Sequence, residues 1–310
     1  MFEYKMKQAL QVILCVIGMM GPSLYAQDQS PIDFVPRYKK GDKMVYQLVE
    51  TKFRQNFNGF FYYIQYDTSY LVFNVTEKND SQVLMDFNYA DAIINGKVYN
   101  EPTAQPNFLR SETYKLVFTE KGEFVELSNW EMFASVLIQN IKQSYRNQTM
   151  DSNALKYYYL YYHDQEKVEF AVIPRVLELF NIAGDTYNLE TTYSLAREIV
   201  NPFGGNNLQK SCLFKPYKDA KFPNSVFFAG KIKTNSDDNE CLQDDYYAFL
   251  NEKKPDADSD IVPPYIYMED TYTYQWGLVN HLFMNLTTTH TVYFGSDKQG
   301  LDRVFRFYAN

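Results

Sequence analysis

Residues 82–89 read Gln-Val-Leu-Met-Asp-Phe-Asn-Tyr. Val83, Met85, Phe87 and Tyr89 share one side of an extended chain, with mostly polar residues between them. Strand side chains alternate between faces, so this period specifies a strand with one dry face and one wet face. The flanking sequence repeats the pattern. Gly41-Asp42 precedes an apolar-rich run over 44–53, and Asn58-Gly59 separates it from 60–66. Asn-Gly supplies positive φ at low cost and favours a tight hairpin. Strand continues over 70–75, and 78–81 is a polar turn. Asn95-Gly96 ends the 82–89 strand and starts 97–100, and Pro102 and Pro106 mark a loop. Residues 113–119 pair with 123–127 across Lys121-Gly122. Together these segments form an antiparallel meander.

A helical region follows. Ser128 and Glu131 have capping-box spacing. Trp130, Phe133, Ala134, Leu137, Ile138 and Ile141 then recur at helical spacing on one face. Residues 151–182 are expected to be helical in pieces: one capped by Asp151 and running to His163, another opened by Pro174 and closed by Gly184.

Strand character then returns over 186–196, with Tyr187, Leu189, Tyr193 and Leu195 on one face, and over 226–234. A short helix is expected at 237–251. Strands at 265–276, 278–294 and 301–308 close the chain, the last two joined across 295–300. The fold class is α+β: mostly antiparallel, twisted β-sheet with a helical segment inside it. Gly41-Asp42 and Gly184-Asp185 both precede strand. Chance turn chemistry explains the echo, or a duplication into two related sheet halves does. The expected organisation is a signal segment at 1–26, a β region ending in an amphipathic helix at 27–150, a helical connection at 151–183 and a second β region at 184–310.

Composition limits the function classes. The chain has 310 residues, and its 30 Lys+Arg against 38 Asp+Glu give a net charge of −8. The acidic balance, without a basic block, argues against nucleic-acid binding. Apolar content of 45% excludes a disordered chain. Lys5 and Lys7 precede an apolar run over 9–20, and Ala26 offers an exit site. This reads as an export signal cleaved before Gln27, placing the protein in the periplasm or outside the cell. The run is too short to span a bilayer, so no integral span is expected after cleavage. Cys15 lies within that run, which leaves Cys212 and Cys241. In an oxidising compartment these two are expected to form a disulfide, with separate thiols as the alternative.

No catalytic motif emerges. His163, His281 and His290 are the only histidines, and the last two lie nine residues apart on one expected strand, hence on opposite faces. No zinc spacing, nucleophile elbow or phosphate loop is present, so no metal, cofactor or catalytic residue is assigned. Asp256, Asp258 and Asp260 begin like a calcium loop. The positions that need Gly and Glu hold Ile261 and Tyr267, so the match fails. The acidic residues Asp237, Asp238, Glu240, Asp244 and Asp245 read as a solvated helix face.

The chain holds 28 Tyr and 24 Phe. Most of these suit strand packing. Two clusters are candidate ligand platforms, since Tyr presents a flat apolar face with a polar tip. Phe60, Tyr62 and Tyr66 lie in one, Tyr158 and Tyr162 in the other.

Four short motifs are similar to secreted β-rich proteins of Bacteroidota-type bacteria. They are Leu24-Tyr25-Ala26-Gln27, Tyr38-Lys39-Lys40-Gly41-Asp42, the 118–126 hairpin with Lys121-Gly122, and Gly184-Asp185-Thr186-Tyr187. Tyr187 departs from the Trp expected there. The resemblance implies export and a β-rich fold, and no catalytic residue.

The expected function is therefore that of an exported, non-enzymatic binding or envelope-associated protein with an apolar or glycan ligand. The alternatives are a secreted hydrolase that cuts glycan with a carboxylate pair, and a carrier of lipid or lipoprotein. An outer-membrane barrel is disfavoured by the amphipathic helix at 129–145.

Overall fold

The alternating run forms the strand that its period implies. It spans Gln82–Ala90, with Val83, Met85 and Phe87 fully buried. The protein is described by a computed structural model over residues 31–55, 61–94, 97–99, 112–147, 156, 159–199, 201, 208–253 and 265–308. In chain order the elements are β1 (Ile32–Asp33), β2 (Lys43–Gln55), β3 (Phe61–Lys78), β4 (Gln82–Ala90), β5 (Ala92–Ile94), β6 (Lys97–Tyr99), β7 (Tyr114–Thr119) and β8 (Phe124–Leu127). Helices α1 (Trp130–Arg146), α2 (Gln165–Val172) and α3 (Pro174–Phe180) follow. Then come β9 (Thr186–Tyr187), β10 (Tyr193–Ile199), β11 (Leu208–Tyr217), β12 (Ser225–Lys233), α4 (Ser236–Lys253), β13 (Ile266–Gly277), β14 (Leu282–Phe294) and β15 (Asp297–Phe307).

Among the described residues, eleven strands form one antiparallel sheet, ordered β10-β11-β12-β13-β14-β15-β2-β3-β4-β7-β8. The two expected halves are thus one sheet. The joint is β15, which begins at Asp297, four residues before the expected 301. It pairs with β14 on one edge and β2 on the other, with Phe305 opposite both Leu286 and Leu48. A strand has hydrogen-bonding groups on both edges, and pairing both satisfies them.

The sheet curls around its helices. Phe180 of α3 lies 5.1 Å from the Phe118 ring of β7 and 6.1 Å from the Phe283 ring of β14. Those strands are five positions apart, about 24 Å in a flat sheet. Only strong curvature brings both to one ring. The inner face is aromatic: Phe73 stacks on Phe87, Tyr114 on Phe133 of α1, and Phe214 on Phe228. Val168, Val172, Ile173, Val176, Leu179 and Phe180 bring α2 and α3 into this core. A small second cluster of Val45, Val72 and Ala90 lies apart from it.

Local chemistry departs from expectation at several points. α1 has no capping box. Asn129 is its N-cap, and the Ser128 hydroxyl donates to the Lys115 carbonyl at 3.1 Å. Asn129 ties the helix to β7, accepting from the Lys115 amide and donating to the Thr113 carbonyl. The expected strand over 186–196 breaks after Tyr187. Glu190 adopts φ 62°, and the Asn188 amide donates to the Tyr193 hydroxyl. β11 has no counterpart in the sequence reading. Its Pro216 argues against a strand, and Leu213 is exposed between buried Cys212 and Phe214. No disulfide joins Cys212 to Cys241. Cys212 is buried on β11, its sulfur pressed against the α-carbon side of Gly230, whereas Cys241 is exposed on α4. Asp151 lies outside the described residues, as do Asp256, Asp258 and Asp260.

The Gly-Asp echo is conformational. Gly41 has φ 90° and Gly184 has φ 93°, but the strands that follow have 13 and 2 residues. A Cβ at Gly41 would meet nothing within 4 Å, whereas one at Gly184 would collide with the Glu123 side chain. Gly41→Ala is expected to cost about 1–2 kcal/mol from backbone strain alone. Gly184→Ala is expected to cost about 1–3 kcal/mol more from the collision. Urea midpoints of the two variants check the difference.

Candidate functional site

α3 has two faces. Val176, Leu179 and Phe180 enter the core, while Pro174, Arg175, Leu177, Glu178 and Asn181 line an open space against the sheet. Pro174 starts this helix, where its missing N–H costs nothing. The Tyr274 hydroxyl donates to the Glu178 carbonyl at 3.0 Å and pins α3 to β13. The result is a cavity of about 460 Å³ whose sheet wall is Asp270, Tyr272, Thr288, Thr289, His290, Leu301 and Arg303, with Phe170 of α2 at its rim.

Register explains why these side chains meet. Tyr272 is opposite Thr288, Thr288 opposite Arg303, and Arg303 opposite Glu50. One step along, Asp270 is opposite His290 and His290 opposite Leu301. Below this band the same face is apolar, with Tyr274, Leu286, Phe305 and Leu48 in one cross-strand row. The polar band therefore marks where the aromatic core stops.

The band is held by charge. Arg303 Nε donates to Glu50 Oε1 at 2.9 Å, and its Nη1 donates to Glu178 Oε2 at 3.3 Å. Arg175 Nη2 also donates to Glu50 Oε1, at 2.9 Å. Burial alone would raise the Glu50 carboxyl, but the two guanidinium groups outweigh it and hold it below its usual value. Burial likewise works against the charged Arg303, and Glu178 and Glu50 reverse it, so its pKa is raised. His290 Nδ1 lies 2.5 Å from Asp270 Oδ1, and the Tyr272 hydroxyl donates to Asp270 Oδ2 at 3.1 Å. The Asp270 side chain is only 8% exposed. Its carboxylate fixes the imidazole, leaving Nε2 as the ring atom not committed to Asp270.

A second space of about 260 Å³ shares Phe170 and Leu177 with the first and continues over Phe124, Val125 and Tyr161. A third, of about 350 Å³, lies under the 31–37 segment beside Trp276 and His281. There, burial and Arg37 lower the His281 pKa, with Asp33 opposing.

Of the sequence-derived site residues, the described ones lie elsewhere. Tyr66 is 68% exposed on β3, opposite Thr51 of β2. Tyr62 is on the same strand, opposite Arg54. Tyr162 packs against the core. Phe60 and Tyr158 are outside the described residues. Tyr66 and Tyr162 do not line the main cavity. His281 and His290 do not share a strand, because His281 sits in the turn before β14 with φ 51°. Among the described residues, no group of three His, Cys, Asp or Glu is placed to hold a metal.

Asp270, His290, Arg175, Glu178, Arg303 and Glu50 were missed as a group. One signal was present: Asp270 has the same strand parity as Tyr272, Tyr274 and Trp276, so an acid was bound to face the apolar side.

No protein-family model matches the chain, and no curated protein matches it. Among solved structures, it is similar to one described as lipid-protein interactions in lipovitellin, with a TM-score of 0.41 and 7% identity. That likeness covers 88% of this chain and 26% of the other, so this chain spans about a quarter of that protein's length.

Proposed function

We propose that the chain is an exported, non-enzymatic binding protein that holds a small amphipathic molecule between α3 and the inner face of β13–β15. The observation that supports this is the cavity itself. It is about 460 Å³, within the range of small-molecule sites, and it has apolar walls at Phe170, Leu177 and Leu301 and a polar band at one side. Export rests on the charged start, apolar run and small exit residue of 1–26. No described helix is long and apolar enough to cross a membrane.

A glycan hydrolase is the second reading, because Glu178 and Asp270 both line the cavity. Such an enzyme needs one carboxyl held protonated by a raised pKa. Glu50, half-buried between the two guanidinium groups, is shifted the other way, and the buried Asp270 is already engaged by His290 and Tyr272.

The neutral fluorophore N-phenyl-1-naphthylamine tests the cavity. Its emission is expected to rise on mixing with the protein, and Leu177→Trp, which fills the shared wall, is expected to abolish most of the rise. Val279→Ala, at an exposed turn, should leave it unchanged. No rise with the wild-type protein, or an equal rise with Leu177→Trp, would count against the cavity.

A further inference from the structure

We infer that the ligand of this cavity carries a vicinal diol at the head of its apolar body, as a glycerol or sugar group does. The inference rests on the binding reading above and adds the chemistry of the head.

The charged side chains that line the cavity are matched and occupied. Glu178 and Asp270 stand against Arg175 and Arg303, two of each sign. Arg303 is bound to Glu178 and Glu50, Arg175 to Glu50, and Asp270 to His290 and Tyr272. Two polar atoms of β14 stand outside these pairs. His290 Nδ1 is held by Asp270, and the opposite ring nitrogen, Nε2, makes no hydrogen bond among the described residues. The Thr288 hydroxyl makes none either. Thr288 is only 4% exposed, yet its hydroxyl is not sealed in the core as the unpaired Trp276 Nε1 is. The little surface it keeps lies on the cavity that it lines. A polar group in such a place is costly to leave unmet, so a ligand that pairs with it gains affinity.

Spacing selects the head. Thr288 and His290 are two residues apart on one face of β14, between Tyr272 and Asp270 of β13 and Arg303 and Leu301 of β15. Their α-carbons are therefore about 7 Å apart. One ligand hydroxyl that accepts from one group and donates to the other bridges about 5.5 Å. Two hydroxyls on adjacent carbons, about 3 Å apart and making one bond each, bridge about 8 Å. A hydroxyl both donates and accepts, so it pairs with an imidazole in either of its charge states. The apolar body has a path as well. Phe170 and Leu177 belong to both the main cavity and the smaller one, so a chain headed at Thr288 and His290 extends over them toward Phe124, Val125 and Tyr161.

Displacement of bound N-phenyl-1-naphthylamine by 1,2-octanediol, 1-octanol and 1,2-dimethoxyoctane, which share one chain, tests this. The diol is expected to displace the probe at about fivefold lower concentration than either of the others, the worth of one added hydrogen bond. Water solvates the diol better than 1-octanol, so apolar burial alone predicts the reverse order. Thr288→Val keeps the side-chain shape and breaks no side-chain hydrogen bond of the free protein, so it is expected to fold normally. It should bring the diol level with 1-octanol and leave 1-octanol unchanged. Thr288→Ser, which returns the hydroxyl, should restore the difference. His290→Phe, which removes Nε2, should act as Thr288→Val does. 1-Octanoylglycerol and octyl glucoside separate the two sources of a diol. The tighter of them names the head, equal displacement supports the diol alone, and displacement by neither overturns the inference. A diol no tighter than 1-octanol or 1,2-dimethoxyoctane would also overturn it, as would an advantage that survives Thr288→Val or His290→Phe. Failure of the naphthylamine probe itself would instead overturn the cavity reading on which the inference rests.

Discussion

Arg303→Met is expected to destabilise the protein by about 1–3 kcal/mol, because removing one partner of a half-buried ion-pair network leaves Glu50 and Glu178 with uncompensated charge. Arg303 bridges β15 to β2 through Glu50 and the sheet to α3 through Glu178. Its loss leaves Glu50 facing Arg175 alone and frees the Glu178 carboxylate from the sheet, while the Glu178 carbonyl stays bound to Tyr274. Urea unfolding at neutral pH measures the effect. Glu50→Leu combined with Arg303→Met should be less destabilised than the sum of the single variants, since it removes both members of the pair. The pH profile carries the same interaction. Glu50 is held below its ordinary value of 4.5, so the native state stabilises its charged form. That contribution is complete above 4.5 and is lost as pH falls through the lower native value. Wild-type stability should fall in that acid window, and Glu50→Gln should flatten the fall. An unchanged profile in Glu50→Gln would show that Glu50 does not contribute.

Phe180→Ala is expected to cost about 3–5 kcal/mol, the usual range for emptying a buried Phe site. The ring is nearly fully buried. It meets Phe73 at 5.4 Å, Phe118 at 5.1 Å and Phe283 at 6.1 Å, and so touches β3, β7 and β14 at once. The cavity left behind is rimmed by strands up to five positions apart in the curled sheet, which limits local collapse. A loss below about 1 kcal/mol would mean that α3 is not the plug of the sheet. Phe180→Leu should recover much of the stability, because it restores most of the apolar volume.

Much of the local structure was legible because its causes are local. The period of 82–89, the Lys121-Gly122 turn, the apolar face of α1 and the Pro174 start each need only a few neighbouring residues. The failures arise where the fold brings in partners from farther along the chain. Ser128 has the right type and spacing for a cap, but the Lys115 carbonyl lies close enough to take its hydroxyl. Residues 186–196 alternate well, but the Tyr193 hydroxyl and the Pro216 carbonyl draw the amides of Asn188 and Glu190 into a turn. Cys212 and Cys241 are 29 positions apart in sequence, and the fold puts one inside the core and the other on an exposed helix face.

The candidate site was far less legible. Tyr66 and Tyr162 stood out because residues of one type cluster in sequence, but Tyr162 packs against the core and Tyr66 is exposed, and neither lines the cavity. The charged band has no sequence cluster at all. Glu50, Arg175, Glu178, Asp270, His290 and Arg303 come from β2, α3, β13, β14 and β15.

By itself, the sequence determined that this chain alternates as strands, that its large aromatics would line one face, and that a helical segment would interrupt them. These follow from side-chain direction and turn conformation, which are properties of neighbouring residues. Only the tertiary structure decided that β15 would join β2, that one sheet would curl until Phe118 and Phe283 met the same ring, and that three acids and two guanidinium groups would converge under α3. Those outcomes depend on strand register between segments up to about 250 residues apart, and register is set by how the whole inner face packs rather than by any one stretch of chain.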